Sequence, residues 1–300
     1  MSPHRRAVLQ AIFVTFLWST SWVLIKFGLE DIPAITFAGL RYGLAFLILA
    51  PLLGRSSLRT QVRSLSRRHW LQLAALGLIM YTVTQGAQFM ALDLLPAQTT
   101  SLVLSFSPIL VAFLSMALLA ERPLPAQFLG VVLFLIGAGT YLYPAAFPAG
   151  QVVGLIVALV GLVANAGSIV LGRFVNRSAE LPAAVVTLVS MGVGALVLFA
   201  VGVGVQGLPE LSVRSWLIVL WLAGVNTALA FTLWNASLQK LTALEASLIN
   251  NTMLIQIAVL AWVFLGEEMG VRHVVGIVLA AIGALVVQLA RRWPKRESGG

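Results

Sequence analysis

The sequence contains no cysteine, so disulfide bonds and thiolate metal sites are excluded, and the redox state of its compartment is left open. Charge is also scarce: 10% of the 300 residues are charged, against about 25% in globular proteins. By contrast, 60% of the residues are hydrophobic, and they come in long runs. This composition excludes an ordinary soluble domain and indicates an integral membrane protein.

Catalytic residue patterns are missing as well. His4, His69 and His273 are terminal or lie in predicted loops, and no G-x-S-x-G or H-E-x-x-H motif occurs. Glu267 and Glu268 precede His273 and could suggest a metal site, but in a short loop we expect them to be solvated. Because hydrolysis needs a nucleophile with a base, paired carboxylates or metal ligands, we expect no enzymatic activity, no metal and no cofactor.

Ten apolar stretches are each long enough for a membrane-spanning helix, which needs about 20 residues. Long runs without strict alternation favour helices over a barrel. The first run lacks a cleavage pattern and is expected to be retained. The predicted spans are residues 7–28, 34–53, 70–92, 97–119, 125–143, 150–172, 181–204, 214–238, 243–265 and 271–290.

Basic residues are distributed unevenly between the two ends of these spans. With both termini inside, fifteen of the nineteen Lys and Arg residues are cytoplasmic, and Lys26, Arg41, Arg214 and Arg272 fall toward the other side. This predicts a multi-pass protein of a bacterial-type inner (plasma) membrane with cytoplasmic N and C termini. We expect no nucleic-acid partner, because the basic run at residues 55–68 is a short interhelical loop. Lys26 and Arg41 are expected to reach the interface, although either could turn inward.

The chain also repeats itself at an offset of 146 residues, at which residues 97–121 align with 243–267. The two halves, 1–147 and 148–300, then hold five spans each. Because five is odd, the second half must enter the membrane upside down. We therefore predict an all-α polytopic membrane protein of ten transmembrane helices, built as two inverted five-helix repeats. This arrangement is typical of transporters with a substrate site near the bilayer midplane.

Several motifs resemble those of a known family. They are LWSTSWVLIKFGL at 17–29, P-x-x-x-F-x-x-x-R at Pro33, Phe37 and Arg41, and the spans that end in Glu121 and Glu267. In these features the chain resembles the EamA family of the drug/metabolite transporter superfamily over essentially its whole length. The resemblance implies export of a small molecule, and the length and first span are similar to aromatic amino-acid exporters of the YddG type. One departure is Ala164, near which many members carry Trp.

Polar residues recur near the middle of six spans, where an unpaired amide is costly. In span nine, Asn250 and Asn251 point away from Thr252 and Gln256, so either one pair packs against a neighbour or the helix is bent. In span four, Pro108 removes a backbone donor at the matching depth and is the predicted hinge.

Spans three and eight carry matching stripes, hydrogen-bonding in one and partly aromatic in the other. Together with polar residues and Trp of spans one, four, six and nine, they could hold a polar head and an apolar or cationic body. The candidate substrate-binding residues are Trp18, Ser21, Trp22, Tyr81, Gln85, Gln88, Ser105, Asn165, Ser168, Thr227, Phe231, Trp234, Asn250, Asn251 and Gln256.

Each of these residues also has a simpler explanation. Polar side chains often bond between membrane helices, for about 0.6 kcal/mol on average, and Trp often lies at the membrane interface. The lack of midspan charge favours a substrate with little net charge and provides no proton relay. We therefore expect a monomeric or weakly dimeric exporter of small metabolites, namely aromatic or neutral amino acids, that works by alternating access. The alternatives are another solute, such as a cationic drug, sugar or nucleoside, and a polar-pore channel.

Overall fold

The computed structural model of this chain describes residues 3–54, 56–107, 109–111, 114, 125–143, 148–177, 181–238 and 243–290. Every regular element in these ranges is helical. The helices are α1 (Pro3–Gly28), α2 (Ala34–Leu49), α3 (Ser56–Arg63), α4 (Arg67–Leu94), α5 (Ala97–Leu104), α6 (Pro125–Leu142), α7 (Ala149–Arg177), α8 (Ala183–Gln206), α9 (continuous segments Val213–Ala223, Gly224–Leu229 and Ala230–Leu238), α10 (Ala243–Leu265) and α11 (Val271–Ala290).

Most of these helices are built for a bilayer. Six helices of the described ranges are long and apolar enough to cross a membrane, namely α1, α2 with the 3-10 turn that follows it, α4, α6, α7 and α8. Shorter apolar helices lie in the remaining four predicted spans. Large apolar side chains such as Leu47, Leu196 and Val213 are exposed on the outside, where lipid replaces water as the solvent. The chain is therefore an all-helical, multi-pass integral membrane protein.

Serine caps begin two of the helices. The Ser66 hydroxyl accepts a hydrogen bond from the backbone N–H of His69 at 3.2 Å, and Ser212 does the same for Ser215 at 3.1 Å. The first backbone donors of a helix have no partner within it, and these caps satisfy one in α4 and one in α9.

Glycines set the closest helix contacts. A Cβ placed on Gly137 of α6 would lie 2.4 Å from the backbone nitrogen of Ala280 in α11, and one on Gly194 of α8 would lie 2.2 Å from the carbonyl of Gly77 in α4. No side chain fits at such distances, so the backbones pack directly against each other. In the same way Gly39 and Gly202 bring α2 close to α8. Helix α1 packs along α10.

Both α4 and α9 change their winding in mid-helix. Residues Leu78–Gln85 and Gly224–Leu229 form π-helical segments, in which the hydrogen bonds skip one extra residue. A threonine supports each segment: Thr84 and Thr227 donate their hydroxyls to the carbonyls of Ile79 and Leu222, both at 2.8 Å. Segments of this type frequently lie at functional sites.

Candidate functional site

An aromatic cluster joins α1 and α9 inside the bundle. The Trp18 ring lies 5.3 Å from the Phe231 ring and 5.1 Å from the Trp234 ring, measured between centroids. All three side chains are half-buried. The structure thus brings together three of the predicted site residues and leaves part of each aromatic surface free for contact.

Arg41 is the main correction to the sequence-based expectation. The prediction that it reaches the interface is wrong; the alternative, that it turns inward, holds, because its residue is only 4% exposed. Its Nε donates to the Thr227 hydroxyl at 3.0 Å, and its guanidinium lies over the Tyr42 and Phe89 rings at 5.2 and 6.0 Å. These contacts replace water around the charge and hold it at the centre of the bundle.

The position of Arg41 along the predicted helix could have indicated that its side chain is buried. It lies seven residues after Ala34 in a 16-residue helix, about 10 Å from that end. It is thus as far from one end of α2 as from the other, so neither interface is close. An arginine at the midpoint of a short apolar helix is expected to turn toward protein partners.

Tyr42 continues this polar region toward α4. Its hydroxyl donates to the Gln85 side-chain oxygen at 2.6 Å, and its ring lies 5.6 Å from the buried ring of Tyr81. Gln88, the third member of the predicted stripe on α4, is half-buried. Tyr81 and Gln85 of the stripe therefore contact α2 through Tyr42, which sequence reasoning missed.

The predicted stripe on α9 contacts two different helices. Thr227 is fully buried and contacts Arg41 of α2, whereas Phe231 and Trp234 contact Trp18 of α1. Thr227 lies within the π-helical segment Gly224–Leu229 and the two rings follow it, so the wider turn shifts their register from that expected for a regular α-helix. As a result, α9 contacts both the buried Arg41 of α2 and the aromatic cluster around Trp18 of α1.

Gln256 is the polar residue of α10 that joins α1. Its side-chain oxygen accepts from the Ser19 hydroxyl at 2.9 Å, and its amide donates to Thr252 at 2.9 Å and to Thr15 at 3.4 Å. Asn250 is exposed, so these two predicted residues point to different surroundings.

Asn251 lies within the continuous helix α10, but its side chain falls outside the described part of the structure. In span four, α5 ends at Leu104, and the next two residues form a turn. The predicted hinge Pro108 lies outside the described residues. Ser105, in the turn, donates to the carbonyl of Leu102 at 2.7 Å.

The remaining predicted residues contact their own helix or a neighbouring one. The Asn165 amide donates to Ser107 at 2.7 Å, which joins α7 to the segment after α5, and Ser168 donates to the carbonyl of Asn165 at 2.8 Å. Ser21 donates to the carbonyl of Trp18, and Trp22 is buried in the largest hydrophobic core. In this conformation Trp22 therefore contributes packing.

Asn226 is a further polar residue that sequence reasoning missed. It is fully buried, and its amide donates to the carbonyl of Leu17 and to the Thr20 hydroxyl at 3.2 Å. Its side-chain oxygen has no hydrogen-bond partner in the described part of the chain. The sequence could have indicated this residue, because Asn226 is a polar residue within the apolar run of span eight.

A second polar cluster lies at the end of the bundle that is predicted to be extracytoplasmic. The Glu267 carboxylate accepts from the backbone N–H groups of Ala97 and Gln98, the latter at 3.0 Å, and so caps α5. Lys26, Asp93 and Glu267 line a cavity of about 490 Å³ there. Within the described ranges no three His, Asp or Glu side chains are grouped to hold a metal ion.

Nearby, two further contacts join α1 and its following loop to α9. Arg214 pairs with Glu30 at 3.1 Å, and the Ser215 hydroxyl donates to Asp31 at 2.9 Å. The bundle is therefore tied together at this end by backbone caps, an ion pair and a charged hydrogen bond.

A multi-pass helical bundle whose interior holds amide, indole and guanidinium groups has the architecture of a membrane transporter. The chain belongs to the EamA-like transporter family, whose model matches residues 5–143 and again residues 152–289. The protein is accordingly a transporter of the drug/metabolite superfamily and not an enzyme.

Individual relatives agree with this assignment. The protein named "Uncharacterized transporter YoaV" from Bacillus subtilis (strain 168) is 22% identical over 284 residues, which are 93% of this chain and 95% of that protein. "Uncharacterized transporter YvbV" from the same strain is 28% identical over 166 residues, 52% of this chain and 50% of that protein. A solved crystal structure shares the fold, with a TM-score of 0.67 and 23% identity over 96% of this chain and 98% of the other.

Proposed function

We propose that this transporter exports small metabolites, namely amino acids with aromatic or neutral side chains, which it binds near the bilayer midplane and moves by alternating access. Export is the direction that the resemblance to aromatic amino-acid exporters implies. The observation that carries the proposal is the arrangement on α9, where Thr227 contacts a buried guanidinium and Phe231 belongs to a cluster of indole rings.

This arrangement suits a zwitterionic aromatic substrate. Thr227 and Phe231 are four residues apart, about 6 Å along the helix axis, which is comparable to the separation between the carboxylate and the ring of an aromatic amino acid. Arg41 supplies positive potential for the carboxylate, and Trp18 and Trp234 offer ring faces for the side chain. A purely cationic solute would gain from the indoles but would be repelled by Arg41.

Alternating access needs two related halves, and the described helices support such a repeat. Helices α4 and α9 begin 146 residues apart, at Arg67 and Val213, and each follows a capping serine. The two π-helical segments also begin 146 residues apart, and the family model matches twice. We propose that residues 1–147 and 148–300 are inverted five-helix repeats that rock about the central site.

In this proposal the cluster around Glu267 is the closed gate of one conformation. Glu267 follows α10 in the second half, whereas the N–H groups that it caps begin α5 in the first half. Opening the bundle at this end therefore requires these hydrogen bonds to break. The contacts of Glu30 and Asp31 with Arg214 and Ser215 also join the two halves, and they would break in the same step.

Counterflow in liposomes tests the proposed substrate. Purified protein is reconstituted with unlabelled tryptophan inside and trace labelled tryptophan outside, and transient accumulation of label is measured against other amino acids. We expect accumulation that phenylalanine and tyrosine block, and that Trp18→Ala and Trp234→Ala reduce strongly. Trp221→Ala is the matched control, because Trp221 lies on the same helix α9 but is 52% exposed on the outer surface.

The other outcomes are equally informative. If no amino acid supports counterflow but a sugar, nucleoside or cationic drug does, the carrier mechanism stands and the proposed substrate class is wrong. If flux is not saturable and shows no counterflow, the protein is a channel and alternating access is wrong.

A further inference from the structure

An apolar groove of about 570 Å³ runs along the outside of the bundle between α2 and α8 and reaches α3 and the start of α4. All fifteen residues that line it are Gly, Ala, Val, Leu, Phe or Trp. Gly43 leaves part of this space open, because a Cβ placed on it would meet no atom within 4 Å. The volume is in the range of small-molecule binding sites.

The groove has the depth of one lipid leaflet. On α2 it extends from Gly39 to Leu47, eight residues or about 12 Å, and half of the hydrocarbon core is about 15 Å thick. Leu47 and Leu196 on its sides are 61% and 69% exposed, so it opens toward lipid. An acyl chain of the surrounding bilayer can therefore enter it from the side.

Exposed arginines neighbour, along the chain, the residues of α3 and α4 that line one end of the groove. Val62 and Trp70 line this end, and the exposed arginines beside them are Arg59, Arg63, Arg67 and Arg68. Leu58 and Val62 pack α3 against the core of α4 and α8, which holds its arginines outward. No Asp or Glu occurs between Ile32 and Leu92, so this segment supplies no carboxylate to neutralise them.

We propose that the groove and the four arginines Arg59, Arg63, Arg67 and Arg68 form a binding site for one anionic phospholipid. An acyl chain fills the groove, and the phosphate and anionic headgroup lie among the arginines. Charge complementarity selects this occupant: a second copy of the chain would bring the same positive charges together, and a zwitterionic lipid would place its ammonium group among them. Guanidinium groups bind phosphate oxygens in pairs, which suits arginine better than lysine.

The test uses native mass spectrometry of the full-length protein after exchange into equimolar phosphatidylglycerol and phosphatidylcholine. We expect the wild-type protein to retain one phosphatidylglycerol in preference to phosphatidylcholine. Arg63→Gln and Arg67→Gln should each weaken retention about fivefold. Arg272→Gln, an exposed arginine at the opposite end of the bundle, should leave it unchanged.

The apolar part of the site is tested separately. Gly43→Phe fills the groove and should abolish retention, whereas Gly139→Phe should not, because Gly139 lies on the outside of α6 and is equally free of neighbours within 4 Å. Equal retention of both lipids by the wild type, or equal retention by the two glycine variants, would overturn the proposal. Disulfide-linked dimers of Gly43→Cys in membranes would also overturn it, since the groove would then hold a second copy.

Discussion

The hydrogen bond between Arg41 and Thr227 should be unusually strong for a membrane helix bundle. Polar pairs between membrane helices contribute about 0.6 kcal/mol on average and about 1.7 at most. This pair is charged, and both residues are at most 4% exposed, so the range of about 1.5 to 3 kcal/mol for hydrogen bonds to charged groups applies. We expect Thr227→Val alone to destabilise the protein by about 2 kcal/mol, because it leaves the buried Nε without its partner.

A double-mutant cycle of Thr227→Val and Arg41→Met isolates this interaction, because the bond from Thr227 to Leu222 is lost equally on both sides of the cycle. The free energy of unfolding is measured by titrating mixed micelles with a denaturing detergent. We expect a coupling free energy of at least about 1.5 kcal/mol. The neutral pair of half-buried Gln256 and exposed Thr252 is the control and should give about 0.6 kcal/mol or less. Equal coupling in both cycles would refute the assignment of Arg41 as a buried charge held by Thr227.

Three further predictions concern packing, the gate and the α5 to α7 contact. Gly137→Ala should cost about 1 to 3 kcal/mol of unfolding free energy, since its Cβ has no room, and Gly139→Ala should cost much less. Glu267→Ala removes a helix cap worth about 1 kcal/mol, so Leu94→Cys, in the cavity beside it, should be alkylated about fivefold faster than with Glu267 present; an unchanged rate would contradict the gate. Asn165→Ala should lower the free energy of unfolding by only about 0.6 kcal/mol. If this variant stays folded but loses counterflow activity, Asn165 contacts the substrate.

The apolar runs predicted the helices well because a bilayer demands about 20 apolar residues for each span. For span nine the predicted bounds coincide with those of α10, whereas α4 and α7 extend beyond the apolar runs at both ends. Three of these four extensions carry charged residues, namely Arg67 and Arg68, Asp93, and Arg173 and Arg177, so the helical hydrogen bonds continue there although hydrophobicity ends.

The site was only partly predictable, for local reasons. Trp18 and Trp234 meet as their depth suggested, but Thr227 belongs to a different cluster because of the π-helical segment in α9. A π-helical segment has no sequence pattern of its own, since the packing of neighbouring helices decides whether a hydrogen bond skips one more residue. In α4, the close approach of Gly77 to Gly194 lies directly beside such a segment.

The glycine contacts of α6 and α11 restrict how this transporter can move. A Cβ on Gly276 would lie 2.7 Å from the backbone nitrogen of Tyr141, and one on Gly283 would lie 2.4 Å from that of Phe134. Because a single added carbon would collide with the opposite backbone, the two helices have little clearance to slide past each other. In the proposed alternating access, α6 and α11 would therefore move as one rigid pair, and this edge of the bundle would stay closed to lipid while the other helices rearrange.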